Sequence, residues 1–406
     1  MRILLQDFSG HPFQAQLSRA LAARGHEVVH SSCGGYASGH GALQRQPGDP
    51  DTLRFESIEM IDGFQKYRYR KRLFQEIAYG RRLARLVRQV DPDVFISCNE
   101  PLLAKAVVGV SCWRSQRPWV FWVQDLYSVA MRVELTRMAG RLGSMLGRGF
   151  EMLERWLVRR ADGVVLISHA FEGWLLDHGI NAPNIAVIPN WAPLDELPYY
   201  PESPGWFERL GISRDAPVAL YSGTLGRKHD ATMFLALAER LEPLGGHVVV
   251  ISEGVAADLL AKEAAVRLRN LHVLPFQPWE DVPSILASAT VLLAVLAPDA
   301  AAFSVPSKVL TYLCAGRPIV ASVSSNNLAA DHIREADGGV VTDPDDLAAF
   351  TDAVVELATD PVRCRLLGKR SRAFAERTFD IDAITASFED ILHHAVIPTH
   401  RTPITP

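Results

Sequence analysis

The chain has 406 residues, of which 48% are hydrophobic and 22% are charged. This composition excludes a disordered or collagen-like chain, and the length predicts two or three domains at roughly 100–200 residues each. Charge is uneven, because residues 1–200 hold 24 Lys and Arg against 20 Asp and Glu, whereas residues 201–406 hold 18 against 26. The basic first half indicates an anionic partner, but not nucleic acid, for which much stronger basicity is usual.

Neither the cysteines nor the apolar segments point to an exported or membrane-spanning protein. The five cysteines are scattered and form no C-x-x-C pair, which is typical of a reducing compartment and argues against disulfides or a zinc site. The start MRILLQDF predicts a strand rather than a signal peptide. The longest uncharged stretch, residues 282–298, contains proline and serine and predicts a helix and a strand. We therefore expect a cytoplasmic protein whose membrane contact is peripheral and on the cytoplasmic face.

Short apolar runs alternate with segments of helical periodicity in the first half. The predicted strands are residues 2–6, 27–31, 94–98, 119–123, 163–167 and 185–188. The predicted helices are residues 11–24, 65–90, 102–114, two stretches within 131–160, and 170–178. This alternation is typical of βαβ units in a parallel sheet that helices cover on both faces.

A proline-rich stretch, residues 189–217, interrupts the alternation and predicts an interdomain linker. The strands then resume at residues 218–222, 247–252, 271–275, 291–295, 318–322 and 339–341. The helices of this half are predicted at residues 230–242, 256–267, 282–289, 307–315, 328–335, 344–359, 362–377 and 381–395. Together the two halves predict an α/β fold of two tandem Rossmann-like, doubly wound domains that face each other across a cleft, with ligands at the carboxyl ends of the strands.

The segment YSGTLGRKH, residues 221–229, combines a strand, a glycine-containing loop and two cations before a helix. Glycines let the backbone approach a phosphate, the helix N-terminus favours an anion, and Lys228 adds a full charge. An ordinary βα turn with solvated cations would have the same pattern.

The segment FSVPSKVLTYLCAGRP, residues 303–318, predicts a second anion site. Ser307 is a candidate N-cap, so the loop before it presents free backbone N–H groups at a positive helix end. Lys308 lies in the first helical turn, where the helix dipole disfavours a cation, and its presence there indicates an anionic ligand. A well-capped structural helix is the alternative.

Motifs of several other enzyme classes are absent from the sequence. No G-x-G-x-x-G follows the first strand, and the glycine-rich residues 34–39 lack the lysine of a P-loop, which disfavours nicotinamide chemistry and P-loop hydrolysis. No His/Cys cluster or serine nucleophile elbow is present, so neither a metal site nor a hydrolytic triad is predicted.

Taken in order, these and further segments resemble the GT-B glycosyltransferases, and more narrowly the retaining family-4 type. The resemblance rests on AARGHEV at 22–28, IS at 167–168, IPNW at 188–191, SGTLG at 222–226 with Lys228, SEG at 252–254, PFQP at 275–278 and VPSK at 305–308. The Pro-Ser-Lys motif points to the branch of bacterial O-antigen and exopolysaccharide transferases, which includes aminosugar transferases. The resemblance extends over nearly the whole chain, and the order and spacing of the segments are more specific than any single segment.

The resemblance implies transfer of a sugar from a nucleotide-diphosphate-sugar donor to a lipid-linked or glycan acceptor, with retention, in cell-surface polysaccharide synthesis. No cofactor is implied, and we expect the reaction to be metal-independent. The implied domains are an acceptor-binding domain at 1–190, a linker at 191–217, a donor-binding domain at 218–376, a C-terminal helix at 377–397 that returns to the first domain, and a flexible tail at 398–406.

The residues expected to act fall into three groups. The catalytic candidates are Lys228, Arg227 and Asp125. The donor-binding candidates are Gly223, Thr224, Gly226, Glu253, Phe276, Gln277, Ser304, Val305, Pro306, Ser307, Lys308 and Thr311. The acceptor-binding candidates, which follow the first and third predicted strands, are Ser9, Gly10, His11, Asn99 and Glu100.

The chain departs from the family pattern at three positions. Many members carry two glutamates eight residues apart near the donor, and the corresponding residues here are Phe303 and Thr311. Thr311 still offers a hydroxyl to a ribose, and Asp299 from the same loop is a candidate substitute for the first glutamate. A His-Asp pair found in many relatives is replaced here by Gln124-Asp125.

Two basic segments of the first half predict contact with an anionic lipid surface. Residues 64–90 contain nine Lys and Arg with aromatic residues and a single acid, and residues 132–160 combine arginines with Met, Leu, Phe and Trp at helical spacings. Such segments suit a membrane and a lipid-diphosphate acceptor, although a solvated helix face has the same pattern. Two other functions stay open: a sugar-nucleotide epimerase of the same fold, and a non-catalytic nucleotide-sugar or membrane-binding module.

Overall fold

The computed structural model describes residues 1–34, 42–60, 69–180, 184–225, 232–296 and 308–397. The chain forms two compact units. One contains Met1–Asn190 and the last helix, and the other contains Trp191–Asp380. Each unit holds a parallel sheet flanked by helices, which confirms the α/β fold of two doubly wound parallel sheets expected from the alternating pattern.

Within its described residues, the first unit is built on seven parallel strands. They are β1 (Arg2–Asp7), β2 (Glu27–Gly34), β3 (Leu53–Glu59), β4 (Val94–Ser97), β5 (Trp119–Val123), β6 (Gly163–Leu166) and β7 (Ile185–Val187). Their order in the sheet is β3-β2-β1-β4-β5-β6-β7. Because all pairings are parallel, the carboxyl ends of the strands meet at one edge of the sheet, where loops are free to carry function.

Helices cover both faces of this sheet. They are α1 (Pro12–Ala23), α2 (Tyr69–Val90), α3 (Leu102–Arg114), α4 (Tyr127–Arg160), α5 (His169–Asp177) and, from the far end of the chain, α13 (Ile381–Val396). The helices α1 and α13 pack together, while α3 packs between α2 and α4. Central strands are therefore buried on both sides, and β5, with the sequence WVFWV, is buried at every position.

The sequence patterns did not predict β3. Its sequence, LRFESIE, alternates polar and apolar residues, and only Leu53 and Ile58 are buried. The strand lies at the edge of the sheet, paired only with β2. An edge strand that is half exposed lacks the continuous apolar run by which the buried strands were recognised.

The helix α4 is folded into a hairpin, here called the α4 hairpin. The backbone leaves helical geometry at Ala139 and at Gly140, whose φ is +54°, in agreement with the two helical stretches expected in this region. The two arms touch through glycine: a Cβ on Gly143 would lie 1.8 Å from the carbonyl oxygen of Leu135. Small residues that allow such close approach are typical of tightly packed helix pairs.

The part of the second unit that the structure describes contains six parallel strands. They are β8 (Val218–Ser222), β9 (His247–Ile251), β10 (Leu271–Leu274), β11 (Val291–Val295), β12 (Ile319–Ser322) and β13 (Gly339–Thr342), in the order β10-β9-β8-β11-β12-β13. The helices are α6 (Thr232–Leu241), α7 (Val255–Arg267), α8 (Val282–Ser288), α9 (Lys308–Ala315), α10 (Leu328–Ala336), α11 (Leu347–Thr359) and α12 (Pro361–Thr378). One group of helices packs around α6, which contacts α7 and α11, and another around α9, which contacts α8, α10 and α12.

Residues 191–217, expected to be a linker, lie within the second unit. Trp206 and Phe207 are buried there, and the backbone N–H of Trp206 donates to Ser288 Oγ at 2.9 Å. Arg372 donates to the carbonyl oxygen of Leu197 at 2.7 Å. The proline content was correctly interpreted as a break in the alternation, but the aromatic residues between the prolines attach this segment to the second unit.

Candidate active site

In the second unit, the loop that follows β8 lies against the start of α9. Lys308 Nζ donates to Tyr221 Oη at 2.8 Å and lies 4.0 Å from the centre of the Tyr221 ring. Tyr221 Oη donates to the carbonyl oxygen of Thr224 at 3.1 Å, and the backbone N–H of Ser222 donates to Tyr312 Oη at 3.0 Å. Two tyrosine hydroxyls therefore fix the loop to the helix that carries Lys308.

Gly223 is required at the centre of this contact for two separate reasons. Its φ is +145°, a conformation that residues with a Cβ rarely adopt. A Cβ at this position would also lie 2.8 Å from both Cε and Nζ of Lys308. The lysine thus occupies the space that any other residue at 223 would fill.

Lys308 is a partly buried cation, and no acidic side chain of the described residues forms an ion pair with it. Burial lowers the pKa of Lys308 to about 7. This cation lies at the carboxyl end of a parallel sheet, beside a glycine loop. Its charged form is stabilised when an anion binds next to it and supplies the negative charge that no acidic side chain of the described residues provides. The arrangement can therefore bind a phosphate group.

A second loop, after β9, supports the first. The backbone N–H of Leu225 donates to Ser252 Oγ at 2.8 Å. Gly254 has φ +119°, and a Cβ there would lie 3.0 Å from the carbonyl oxygen of Leu225. Glycine is again what allows the two loops to touch, so residues 252–254 hold Leu225, in the first part of the loop after β8, in place.

In the first unit, Asp7 organises the loop between β1 and α1. Its Oδ1 accepts hydrogen bonds from the backbone N–H groups of Ser9 at 3.1 Å and Gly10 at 2.9 Å, and from Asn99 Nδ2 at 3.1 Å. Asn99 Oδ1 accepts from the backbone N–H of Phe8 at 2.6 Å. Burial raises the pKa of Asp7 to about 7 against the opposing effect of these hydrogen bonds. The carboxyl group thus positions a loop whose outer side can meet a substrate.

Asp125, which follows β5, is the carboxyl group of this edge that forms no hydrogen bond with the described residues. Burial, together with the nearby charge of Glu154, raises the pKa of Asp125 to about 7. Glu154, in the second arm of α4, accepts hydrogen bonds from the backbone N–H and the hydroxyl of Ser128 at the start of the first arm. A carboxyl group with a pKa near 7 can accept or donate a proton at neutral pH.

Two family models match the chain, one described as a glycosyl transferase 4-like domain over residues 11–191 and one as glycosyl transferases group 1 over residues 216–360. Together they cover most of both units. This chain is a glycosyltransferase of the GT-B type. The resemblance expected from the sequence motifs is thereby confirmed.

Known glycosyltransferases are similar to this one over most of their length. WcaI of Escherichia coli, a glycosyl transferase assigned to colanic acid biosynthesis, is 24% identical over 305 residues, which are 74% of this chain and 71% of WcaI. Glycogen synthase of Mycobacterium tuberculosis is 26% identical over 383 residues, 90% of this chain and 86% of the synthase. The crystal structure of Anabaena HepE in complex with UDP and glucose has a TM-score of 0.71 at 17% identity and covers 97% of this chain and 99% of HepE, a likeness of fold.

The donor-binding residues expected from the glycosyltransferase motifs are only partly within the described residues. Gly223, Thr224, Lys308 and Thr311 lie together, and Thr311 Oγ1 donates to the carbonyl oxygen of Lys308 at 2.8 Å. Glu253 and Phe276 are exposed at the carboxyl ends of β9 and β10. Gln277 Nε2 donates to the carbonyl oxygen of Pro275. The following candidates lie outside the described residues: Gly226, Arg227, Lys228, Asp299, Phe303, Ser304, Val305, Pro306 and Ser307.

Among the acceptor-binding candidates of the glycosyltransferase, Ser9, Gly10, His11 and Asn99 lie at the loop held by Asp7. The structure contradicts the expectation for Glu100. It is fully buried and forms an ion pair with Lys105, whose Nζ lies 3.4 Å from Glu100 Oε2 and 3.9 Å from the centre of the Phe121 ring. Since its charge is used inside the unit, Glu100 is a structural residue rather than an acceptor contact.

Several residues that shape the site were not predicted. Tyr221 falls within a predicted strand and Tyr312 within a predicted helix, and no role is predicted for either tyrosine or for Asp7. A hydroxyl or carboxyl group in an apolar run gives a weak signal, because sequence alone does not show which polar atoms converge in space. The position of Asp7, immediately before the Ser9-Gly10 turn, is the one feature that indicates its role, since aspartate often accepts hydrogen bonds from the backbone two and three residues later.

The described residues contain no group of three or more His, Cys, Asp and Glu side chains that could hold a metal ion. Within the same part of the chain, none of the helices combines the length and the apolar character that a membrane span needs.

Proposed function

We propose that the chain transfers a sugar, with retention, from a nucleotide-diphosphate-sugar to a lipid-linked or glycan acceptor in cell-surface polysaccharide synthesis. The observation that carries this proposal is the unpaired, partly buried Lys308 beside Gly223 at the carboxyl end of the second sheet. A site with a cation, a glycine loop and no acidic partner among the described residues suits the diphosphate of a nucleotide sugar.

The chemistry demands such a site because the transfer separates charge. The bond between the anomeric carbon and the diphosphate oxygen breaks, so the leaving group gains negative charge while the sugar becomes cationic. Preorganised cations stabilise that leaving group more in the transition state than in the ground state. Lys308 supplies one cation, and Arg227 and Lys228 are the further cations that the sequence offers for the same group.

The first unit is proposed to receive the acceptor. The loop of Ser9, Gly10 and His11 lies at the same sheet edge as Asp125, whose pKa near 7 suits it to take the proton of an attacking hydroxyl. In this step the acceptor oxygen bonds to the anomeric carbon on the same face that the diphosphate leaves, so the configuration is retained. The diphosphate keeps the electrons of the broken bond, and the acceptor proton passes to Asp125 or to the leaving phosphate.

The names of the similar proteins support the classes of donor and product. HepE was crystallised with UDP and glucose, and WcaI is assigned to colanic acid biosynthesis. These names favour a nucleotide-sugar donor and a polysaccharide pathway for this chain as well. They disfavour the epimerase and the non-catalytic module, since the matched family models describe transferases.

The test is release of nucleotide from a panel of UDP- and GDP-sugars, with and without a lipid-diphosphate-linked sugar acceptor. We expect slow hydrolysis of one donor alone and faster release with acceptor. Lys228→Ala should lower turnover by about 10²–10³, whereas Lys262→Ala, at an exposed position of the same unit, should leave it unchanged. Conversion of one nucleotide sugar into another without nucleotide release would indicate an epimerase, and binding without turnover a non-catalytic module.

A further inference from the structure

The tip of the α4 hairpin, residues 137–148, carries a patch of exposed apolar side chains. Because the arms of the hairpin meet through Gly143 and Gly147, the long side chains near the turn are not packed between them. Met138 is 56% exposed, Leu142 64%, Met145 67% and Leu146 54%. Four large apolar side chains this close together and this exposed are unusual on a soluble surface and mark a docking surface.

The same tip is basic. Arg137, Arg141 and Arg148 flank the apolar side chains, and residues 137–148 contain these three arginines and no acidic residue. Arg137 forms an ion pair with Glu134 at 2.9 Å. Neither Arg141 nor Arg148 forms an ion pair with any of the described residues. An apolar surface bordered by arginines, two of which have no ion-pair partner among the described residues, matches a surface that is apolar within and anionic at its boundary, which is the chemistry of an anionic lipid bilayer.

Neighbouring helices extend the positive charge. The helix α3 packs between α2 and α4, and a groove between α2 and α3 is lined by the arginines Arg81, Arg85, Arg88 and Arg114. None of these four arginines forms an ion pair with an acidic side chain of the described residues. The layer of helices that carries the α4 hairpin therefore presents positive charge well beyond the tip.

We infer that the tip of the α4 hairpin inserts Met138, Leu142, Met145 and Leu146 among the lipids of an anionic membrane surface, while the arginines contact the phosphates. This inference deepens the proposed function, because an acceptor carried by a lipid has to be met at the bilayer. Each Leu or Met that leaves water completely raises partition by about tenfold or more. Flexible Met side chains suit an irregular lipid environment.

The test places an environment-sensitive fluorophore on the tip. All five native cysteines are buried, so a label attached to Met145→Cys reports on that position. On vesicles of phosphatidylcholine with phosphatidylglycerol, its emission should rise and shift to shorter wavelength, and on phosphatidylcholine alone much less. The matched control is Leu259→Cys, 59% exposed in the second unit, whose label should not respond.

Substitutions separate the two contributions. Replacing Leu142, Met145 and Leu146 by Ser in one protein should lower vesicle partition by about a hundredfold or more. The same exchange at Leu259, Val362 and Leu366, exposed apolar residues of the second unit, should leave it unchanged. Replacing Arg137, Arg141 and Arg148 by Ser should cost about tenfold or more on anionic vesicles only.

Three results would overturn the inference. One is flotation of the protein with an unresponsive Met145→Cys label. A second is a response that appears only with a label at Phe74→Cys, an exposed position of α2. The third is a response that follows protein concentration without vesicles, which would make the tip an interface between copies of the chain. None of these measurements uses donor or acceptor, so insertion without sugar transfer would refute the proposed function alone.

Discussion

The protonation of Lys308 should make donor binding depend on pH. Its pKa is about 7 in the free protein, so above that pH most molecules must take up a proton before a cation faces the diphosphate. An anionic oxygen at about 4 Å and an effective dielectric of 20 favours the charged lysine by about 4 kcal/mol, or about three pKa units. The pKa of Lys308 should therefore rise to about 10 when the donor binds.

The expected size of the effect follows from these two pKa values. If only the protonated form binds well, the dissociation constant rises by about tenfold from pH 6 to pH 8 and by about a hundredfold from pH 6 to pH 9. At pH 8, binding should take up about 0.9 proton. The direction of this pH dependence follows from the direction of the pKa shift. Because burial lowers the pKa of the free lysine, its protonated fraction falls as pH rises, and the anion binds more weakly.

The assay is calorimetric titration with a nucleotide sugar identified by thermal shift, performed in buffers of different ionisation enthalpy so that proton uptake is measured directly. A nucleotide sugar is preferred to a free nucleoside diphosphate, whose terminal phosphate titrates in the same range. Lys308→Arg should abolish the pH dependence, because guanidinium stays charged, and Lys262→Ala should preserve it. A wild-type affinity that is constant from pH 6 to pH 9, with no proton uptake at pH 8, would refute the reasoning.

Three other predictions test separate parts of the site. Gly223→Ala should destabilise the fold by about 1–2 kcal/mol, and it should weaken donor binding because the added Cβ displaces Lys308. The control is Gly245→Ala, at a glycine with φ +63° and open space around it. Chemical denaturation should show a similar loss of stability for this control, while donor binding stays unchanged. Asp125→Asn should abolish most transfer yet stabilise the protein by about 4 kcal/mol above pH 7, because burial raises the pKa of Asp125 from 3.8 to about 7. This gain should fade between pH 7 and pH 4, and an equal stability at pH 8 would contradict it. Activity should persist in EDTA, because lysine and arginine side chains are expected to meet the leaving group, and strict dependence on added Mg²⁺ would show that this assignment is wrong.

The sequence predicted the buried framework well because buried parallel strands leave a strong signal. Runs such as WVFWV in β5 have no other common explanation in a chain that alternates with helices, and twelve of the strands were expected within a few residues of where they lie. The edge strand β3 escaped, since a half-exposed strand carries only two buried apolar residues.

The site was harder to predict because its chemistry depends on which polar atoms meet. Glycine loops and Lys308 were recognised from their position between a strand and a helix. Glu100, in contrast, has the same local sequence signal as a substrate-binding residue, and only the packing of Lys105 beside Phe121 shows that it is an internal ion pair. Burial of a charge is decided by tertiary contacts, and a single sequence records them poorly.

During synthesis, the first unit cannot complete its fold until the last helix, α13, has left the ribosome. Phe388 of α13 lies 4.7 Å from Trp122 of β5, ring centre to ring centre, and Glu389 pairs with Arg24 and His26 of the α1–β2 turn. These partners emerge from the ribosome long before α13, which lies beyond the whole second unit. At about 5–20 residues per second, the wait is about 10–40 s. During that interval the first sheet has an uncovered apolar face, so the nascent chain should be a client of chaperones, and the second unit, continuous in sequence, should finish folding first.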